Sequence, residues 1–126
     1  MGYMTDGITF NVLRDANRNR QKEWPGNEKA DVAFRAIELA GEAGELMEAI
    51  KKFLRAERGI KGSTSTPFEI ADEMGDLLVS LDLLADELGI DLGVAVRRKF
   101  NKTTDKYGMR TYLGDSDWHL KPAPTV

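Results

Sequence analysis

Between residues 32 and 88 the apolar side chains return every third or fourth position. Val32, Ala36, Leu39, Ala43, Leu46, Met47, Ile50 and Leu54 form one series; Ile70, Met74, Leu77, Leu81, Leu84 and Leu88 form a second. That period places each series on one face of an α-helix and excludes the two-residue alternation of a half-buried strand. Two long amphipathic helices must bury their stripes on each other or on further helices. The predicted fold is all-α and four-helix-bundle-like, with helices at about 9–21, 28–58, 66–88 and 92–106.

The punctuation agrees. Trp24-Pro25-Gly26-Asn27 breaks the chain after the first segment, where Phe10 and Leu13 mark the apolar face. Thr66-Pro67-Phe68-Glu69 spells a capping box with proline at the first helical position. Gly89 and Gly108 are expected stops, and Asp91 an expected N-cap. Gly41 and Gly44 sit inside the second helix, where each costs about 1 kcal/mol relative to alanine. Close helix–helix packing is the expected reason for them.

A chain of 126 residues predicts one domain. Its expected bounds are 1–112, with 113–126 as an extended tail holding Pro122 and Pro124. The net charge of −3 argues against a nucleic-acid binder. The absence of cysteine excludes disulfides, thiolate metal sites and cysteine nucleophiles, and the single histidine, His119, argues against histidine-rich metal sites. No stretch is long and apolar enough to span a bilayer, and the N-terminus has neither a basic start nor a myristoylation pattern. A cytoplasmic protein without membrane contact is expected.

The informative residues are acidic. Glu38, Glu42 and Glu45 stand at i, i+4 and i+7, within an arc of about 60° on the second helix. Glu69, Glu73 and Asp76 repeat that spacing on the third, with Asp72 beside them. Both arcs border the apolar stripes, so packing the stripes should bring Glu42 and Glu45 opposite Glu73 and Asp76. No Lys or Arg lies between Glu69 and Asp86 to neutralise them. Either the carboxylates are a solvated face, or a multivalent cation holds them together. An all-oxygen donor set suits Mg²⁺, with Mn²⁺ as a substitute. Di-iron bundles require histidines that these helices lack, and no acidic twelve-residue loop of the EF-hand type is present. Mg²⁺ points to phosphate chemistry, and without a Gly-rich phosphate loop the phosphates would need metal and basic side chains.

Such side chains occur on the fourth helix, where Lys99, Lys102 and Lys106 share a face. Helix capping explains them equally well. Asn101 suits a hydrogen bond to sugar or base, or plain solvation. Trp24 suits a core position or a stack on a base.

Glu42-Ala43-Gly44-Glu45-Leu46, followed after 26 residues by Glu73-Met74-Gly75-Asp76, resembles the Glu-x-x-Glu…Glu-x-x-Asp signature of the MazG-like all-α nucleoside triphosphate pyrophosphohydrolases. The flanks Leu39-Ala40-Gly41, Ile50-Lys51-Lys52 and Gly89-Ile90-Asp91-Leu92-Gly93 are similar too. So is the segment from Lys99 through Gly108, which resembles the small single-domain members of bacteria and phages; Gly75 departs from the usual pattern. The resemblance spans roughly Leu13 to Thr111. It implies hydrolysis between the α and β phosphates, giving a nucleoside monophosphate and pyrophosphate. It also implies that Glu42, Glu45, Glu73 and Asp76 bind Mg²⁺ and form the catalytic set, with Glu38 as an accessory ligand or substrate contact. Lys99, Asn101 and Lys102 would contact phosphates or sugar, and Trp24 would line the base pocket. Homodimers or dimers of dimers are implied as well. A non-catalytic nucleotide- or protein-binding helical module is the alternative of a different class.

Overall fold

The computed structural model describes residues 6–114. Most of the expected tail, with His119, Pro122 and Pro124, lies outside the described residues. Four α-helices are present and no strand among the described residues: α1 Phe10–Glu23, α2 Val32–Glu57, α3 Pro67–Glu87 and α4 Leu92–Lys106. The all-α architecture expected from the apolar period is what the chain adopts.

Each helix begins where a side chain can cap it. Thr9 Oγ1 accepts from Val12 N, Asp31 Oδ1 from Phe34 N, and Asp91 Oδ1 from Val94 N. At α3 the capping box is complete: Glu69 N donates to Thr66 Oγ1, and Glu69 Oε2 accepts from Thr66 N at 2.9 Å. The expected start of α2 near residue 28 is corrected to Val32. Gly26 takes a left-handed conformation (φ 85°), Asn27–Lys29 form a short 3-10 turn, and the chain straightens before Asp31 caps the helix. Asp31 offers the carboxylate that an N-cap needs, and none of residues 28–30 does so in the right place. At the end of α3, Gly89 (φ 69°) lets Ile90 N reach back to Ala85 O at 2.8 Å, closing the helix and aiming the chain into α4.

The α2–α3 hairpin is the body of the molecule, antiparallel because a short loop joins the helices. Leu46 and Ala49 of α2, with Leu83 and Ala85 of α3, are the buried hydrophobic residues among those described. Helix α1 lies along the other side of α3, and α4 packs beside α1. The α1–α3 seam is polar. Arg14 Nε donates to Asp82 Oδ1 at 3.0 Å, and its Nη2 to Ile90 O at 2.8 Å. Asn17 Nδ2 donates to Asp82 Oδ2 and to Val79 O. Asp82 is 1% exposed, so the seam holds a buried carboxylate that is fully partnered.

The expectation that Gly41 and Gly44 mark close packing between helices of this chain is not met. A Cβ added at either, or at Gly75, would touch nothing within 4 Å. All three glycines are exposed, and no other part of the described chain covers them.

Candidate metal centre

Because α2 and α3 run antiparallel and share their apolar stripes, the residues bordering those stripes meet across the seam. Glu42 pairs across with Asp76, and Glu45 with Glu73. One carboxylate oxygen from each of the four lies within 4.8 Å of all the others. Among the described residues, no Lys or Arg forms an ion pair with any of them. Oε2 of Glu42 and Oε2 of Glu73 are buried without a hydrogen-bond partner.

Electrostatics records the strain of this arrangement. The Glu42 carboxyl is held above its usual range first by burial and then by the charges of Glu45 and Asp76. Glu73 is raised for the same reasons in the same order: burial, then Glu45, then Asp76. The four groups therefore cannot all be comfortably ionised without a counter-charge. The donor set fits a hard divalent cation: oxygens only, two from each helix, and two buried oxygens with nothing else to bind. Thiolate or imidazole metals find no ligand here.

The cluster lies between two clefts. One, of about 310 Å³, contains Glu42 and Asp76 and is walled by Trp24 and Phe34, with Gln21, Arg35 and Glu38 on its surface. The other, of about 290 Å³, contains Glu45 and Glu73 and is lined by Lys52, Thr64 and Ser65 from the far end of the hairpin. An elongated ligand crossing the carboxylates would thus have an aromatic compartment at one end and a polar one at the other.

Of the other residues singled out in the sequence, Trp24 and Glu38 stand beside the cluster in the aromatic cleft. Helix α4 is elsewhere. Lys99 lines an apolar groove with Val96, Phe100 and Met109, and Lys102 is exposed. Asn101 is completely buried, and its amide bonds both ways with the backbone of Leu113: Nδ2 donates to the carbonyl at 2.9 Å, and Oδ1 accepts from the N–H at 2.7 Å. Within one chain these three residues do not line either cleft that adjoins the carboxylates.

Gln21, Phe34 and Arg35 are among the cleft residues that escaped the sequence reading. Arg35 is 3% exposed, with Nη2 donating to Gln21 Oε1 at 2.8 Å and Nη1 to Glu38 Oε1 at 3.2 Å. The signal was there: Arg35 falls three residues after Val32 and four before Leu39, so a cation interrupts the buried side of an amphipathic helix.

The sequence pattern of the MazG nucleotide pyrophosphohydrolase domain matches residues 35–111, which span α2, α3 and α4 and contain all four carboxylates. The chain belongs to the MazG family. Among curated proteins, the MazG-family chain is similar to the Gene 37 protein of Mycobacterium phage L5, at 27% identity over 86 residues, covering 68% of this chain and 75% of that protein. Helix α1, Gln21 and Trp24 precede the family match, so one wall of the aromatic cleft is supplied by residues outside it. No helix among the described residues is long and apolar enough to cross a membrane.

Proposed function

We propose that this MazG-family protein is a Mg²⁺-dependent nucleoside triphosphate pyrophosphohydrolase acting on the cytoplasmic nucleotide pool. The observation that carries the reading is the set of four carboxylates gathered within 4.8 Å with no protein cation to balance them. Glu42, Glu45, Glu73 and Asp76 would hold Mg²⁺, or Mn²⁺ in its place. A divalent ion there supplies charge neutralisation of phosphate oxygens and a more acidic water. One carboxylate of the set would orient a water toward the α phosphorus and take up its proton. The water oxygen forms the new bond to the α phosphorus, the bond from that phosphorus to the bridging oxygen breaks, and pyrophosphate leaves with the bridging oxygen.

The two clefts suggest the direction in which substrate lies. The nucleoside end suits the compartment of Trp24 and Phe34, whose rings offer stacking surface. The outer phosphates suit the compartment that holds Lys52. Lys99 and Lys102 are proposed as substrate contacts only across an assembly, because their own chain keeps them away from its clefts; Asn101, buried against the backbone of Leu113, is not among them. Such an assembly has support in the surface. Ile37 is 73% exposed, and Met47, Met74 and Leu78 are about half exposed along α2 and α3. Exposed apolar residues of this size on a small chain favour a homodimer or a dimer of dimers.

The test is to incubate the protein with the common ribo- and deoxyribonucleoside triphosphates and Mg²⁺ and to measure pyrophosphate and monophosphate. Release of both, abolished by chelation of the metal, is expected. Orthophosphate with diphosphate, or no product from any nucleotide, would overturn the proposal. Light scattering on a sizing column, with a monomer mass as the adverse result, checks the assembly.

A further inference from the structure

The polar residues on the surface of the aromatic cleft form an ordered row, and their remaining hydrogen-bonding capacity is specific. Arg35 stands in the middle, with Glu38 on one side and Gln21 on the other. Its side chain is only 4% exposed, which is a costly place for a guanidinium that a leucine could fill. Two of its five N–H groups are spent on Glu38 and Gln21; Nε is buried without a partner, so the donors left for a ligand in the cleft are the second N–H groups of Nη1 and Nη2. Gln21 Oε1 receives donors from both Arg35 and Asn27, which fixes the orientation of its amide and leaves Nε2 as the group it can still offer. Glu38 carries a carboxylate and can only accept. Read along the cleft, the row presents an acceptor, a donor and a donor.

We infer that the Glu38–Arg35–Gln21 row reads the Watson–Crick edge of a nucleobase held between Trp24 and Phe34, and that it selects cytosine. This rests on the nucleotide-hydrolase reading given above. Cytosine offers an amino donor, the N3 acceptor and the O2 acceptor in that order, which complements the row at all three positions. Adenine offers the amino donor and the N1 acceptor and matches two. Uracil and thymine place a carbonyl oxygen where Glu38 needs a donor, so two acceptors would face each other. Guanine presents an acceptor, a donor and a donor, and cannot satisfy the acceptor end and the two donors in one pose. A buried polar group left unpaired is penalised more than a made bond is rewarded, so discrimination comes mainly from the mismatched bases.

The test compares kcat/KM for CTP, ATP, UTP and GTP, and for the deoxy series, at fixed Mg²⁺. Cytidine nucleotides should exceed uridine nucleotides of the same sugar by on the order of 10-fold or more. In Glu38→Gln, whose amide can donate as well as accept, the ratio should fall toward one, through KM more than kcat. Circular dichroism and thermal melting of that near-isosteric variant establish that it folds. Turnover that favours uracil or guanine, or an unchanged ratio in folded Glu38→Gln, would overturn the inference and leave the hydrolase reading standing. If no nucleotide is hydrolysed, the hydrolase reading fails by itself. Calorimetric titration with the α,β-methylene analogues of CTP and UTP then decides the base preference: tighter cytidine binding keeps it, equal or weaker binding ends it.

Discussion

Helix α3 carries two sets of carboxylates, on opposite sides and with opposite surroundings. Toward α1, Asp82 is bonded by Arg14 and Asn17, and Asp86 by Arg18 at 2.8 Å. Toward α2, Glu73 and Asp76 meet only Glu42 and Glu45. The pKa directions separate accordingly: the Arg18 hydrogen bond and charge hold Asp86 below the usual carboxylate range, whereas burial and neighbouring acids hold Glu73 above it. The same residue types on one helix thus do two jobs. Paired acids fasten α1 to the hairpin. Unpaired acids make a place that the fold alone does not stabilise and that a cation would complete.

The largest expected difference is in turnover. Asp76→Ala or Glu45→Ala should reduce pyrophosphate release by roughly 100-fold or more while leaving the far-ultraviolet spectrum nearly intact and the metal-free melting point no lower. A variant on this face that retains activity would dissolve the distinction between the two sets. Arg14→Ala should do the reverse. It leaves Asp82, which is 1% exposed, without its cation and with Asn17 as its remaining donor, and should cost about 3 kcal/mol of stability, read as a lowered urea midpoint. If stability hardly moves, the buried pair is not what holds α1.

Glu73→Gln sharpens the contrast through its sign. Removing one repelling charge should raise the melting temperature of the metal-free protein at neutral pH and reduce the further rise that Mg²⁺ brings to the native chain. The pH dependence follows from the same directions. A carboxyl raised in the folded state favours the protonated fold, so Glu42 and Glu73 contribute stability below the ordinary glutamate range and lose it as pH rises through their elevated values. Asp86, lowered in the folded state, contributes above the ordinary aspartate range and loses it as pH falls through its depressed value. Urea melts from pH 4 to pH 8 should therefore show a metal-free stability that Glu42 and Glu73 pull down toward neutrality, and Mg²⁺ should remove that downward pull. The smallest effect is expected for Arg18→Ala. Its partner Asp86 is also within 3.6 Å of Arg14, and the Arg18 side chain is largely in water, so the melting point should change far less than for Arg14→Ala.

Much of the candidate site was legible because helices translate spacing into direction. Glu42 and Glu45 had to share a face, as did Glu73 and Asp76, and both faces bordered the stripes that had to pack. Arg14 and Arg18 were harder. Their four-residue spacing matches that of Asp82 and Asp86, but nothing local says that α1 lies along that side of α3. The basic run of α4 was legible as a cationic face, yet its place relative to the carboxylates depends on how α4 docks, and α4 docks beside α1. Asn101, expected to bond a sugar or base or to be solvated, is a buried clamp on the backbone of Leu113.

Composition and periodicity alone determined an all-helical chain, the caps at Thr66 and Asp91, and a four-acid set of hard oxygen donors, because each of these depends on neighbours within about two helical turns. Tertiary structure decided which acids are neutralised and which are left bare, why Arg35 is buried beside Gln21, and where the clefts open. Those outcomes hinge on distances between residues far apart in the chain, and a Coulomb interaction depends on separation in space, which spacing along one helix does not specify.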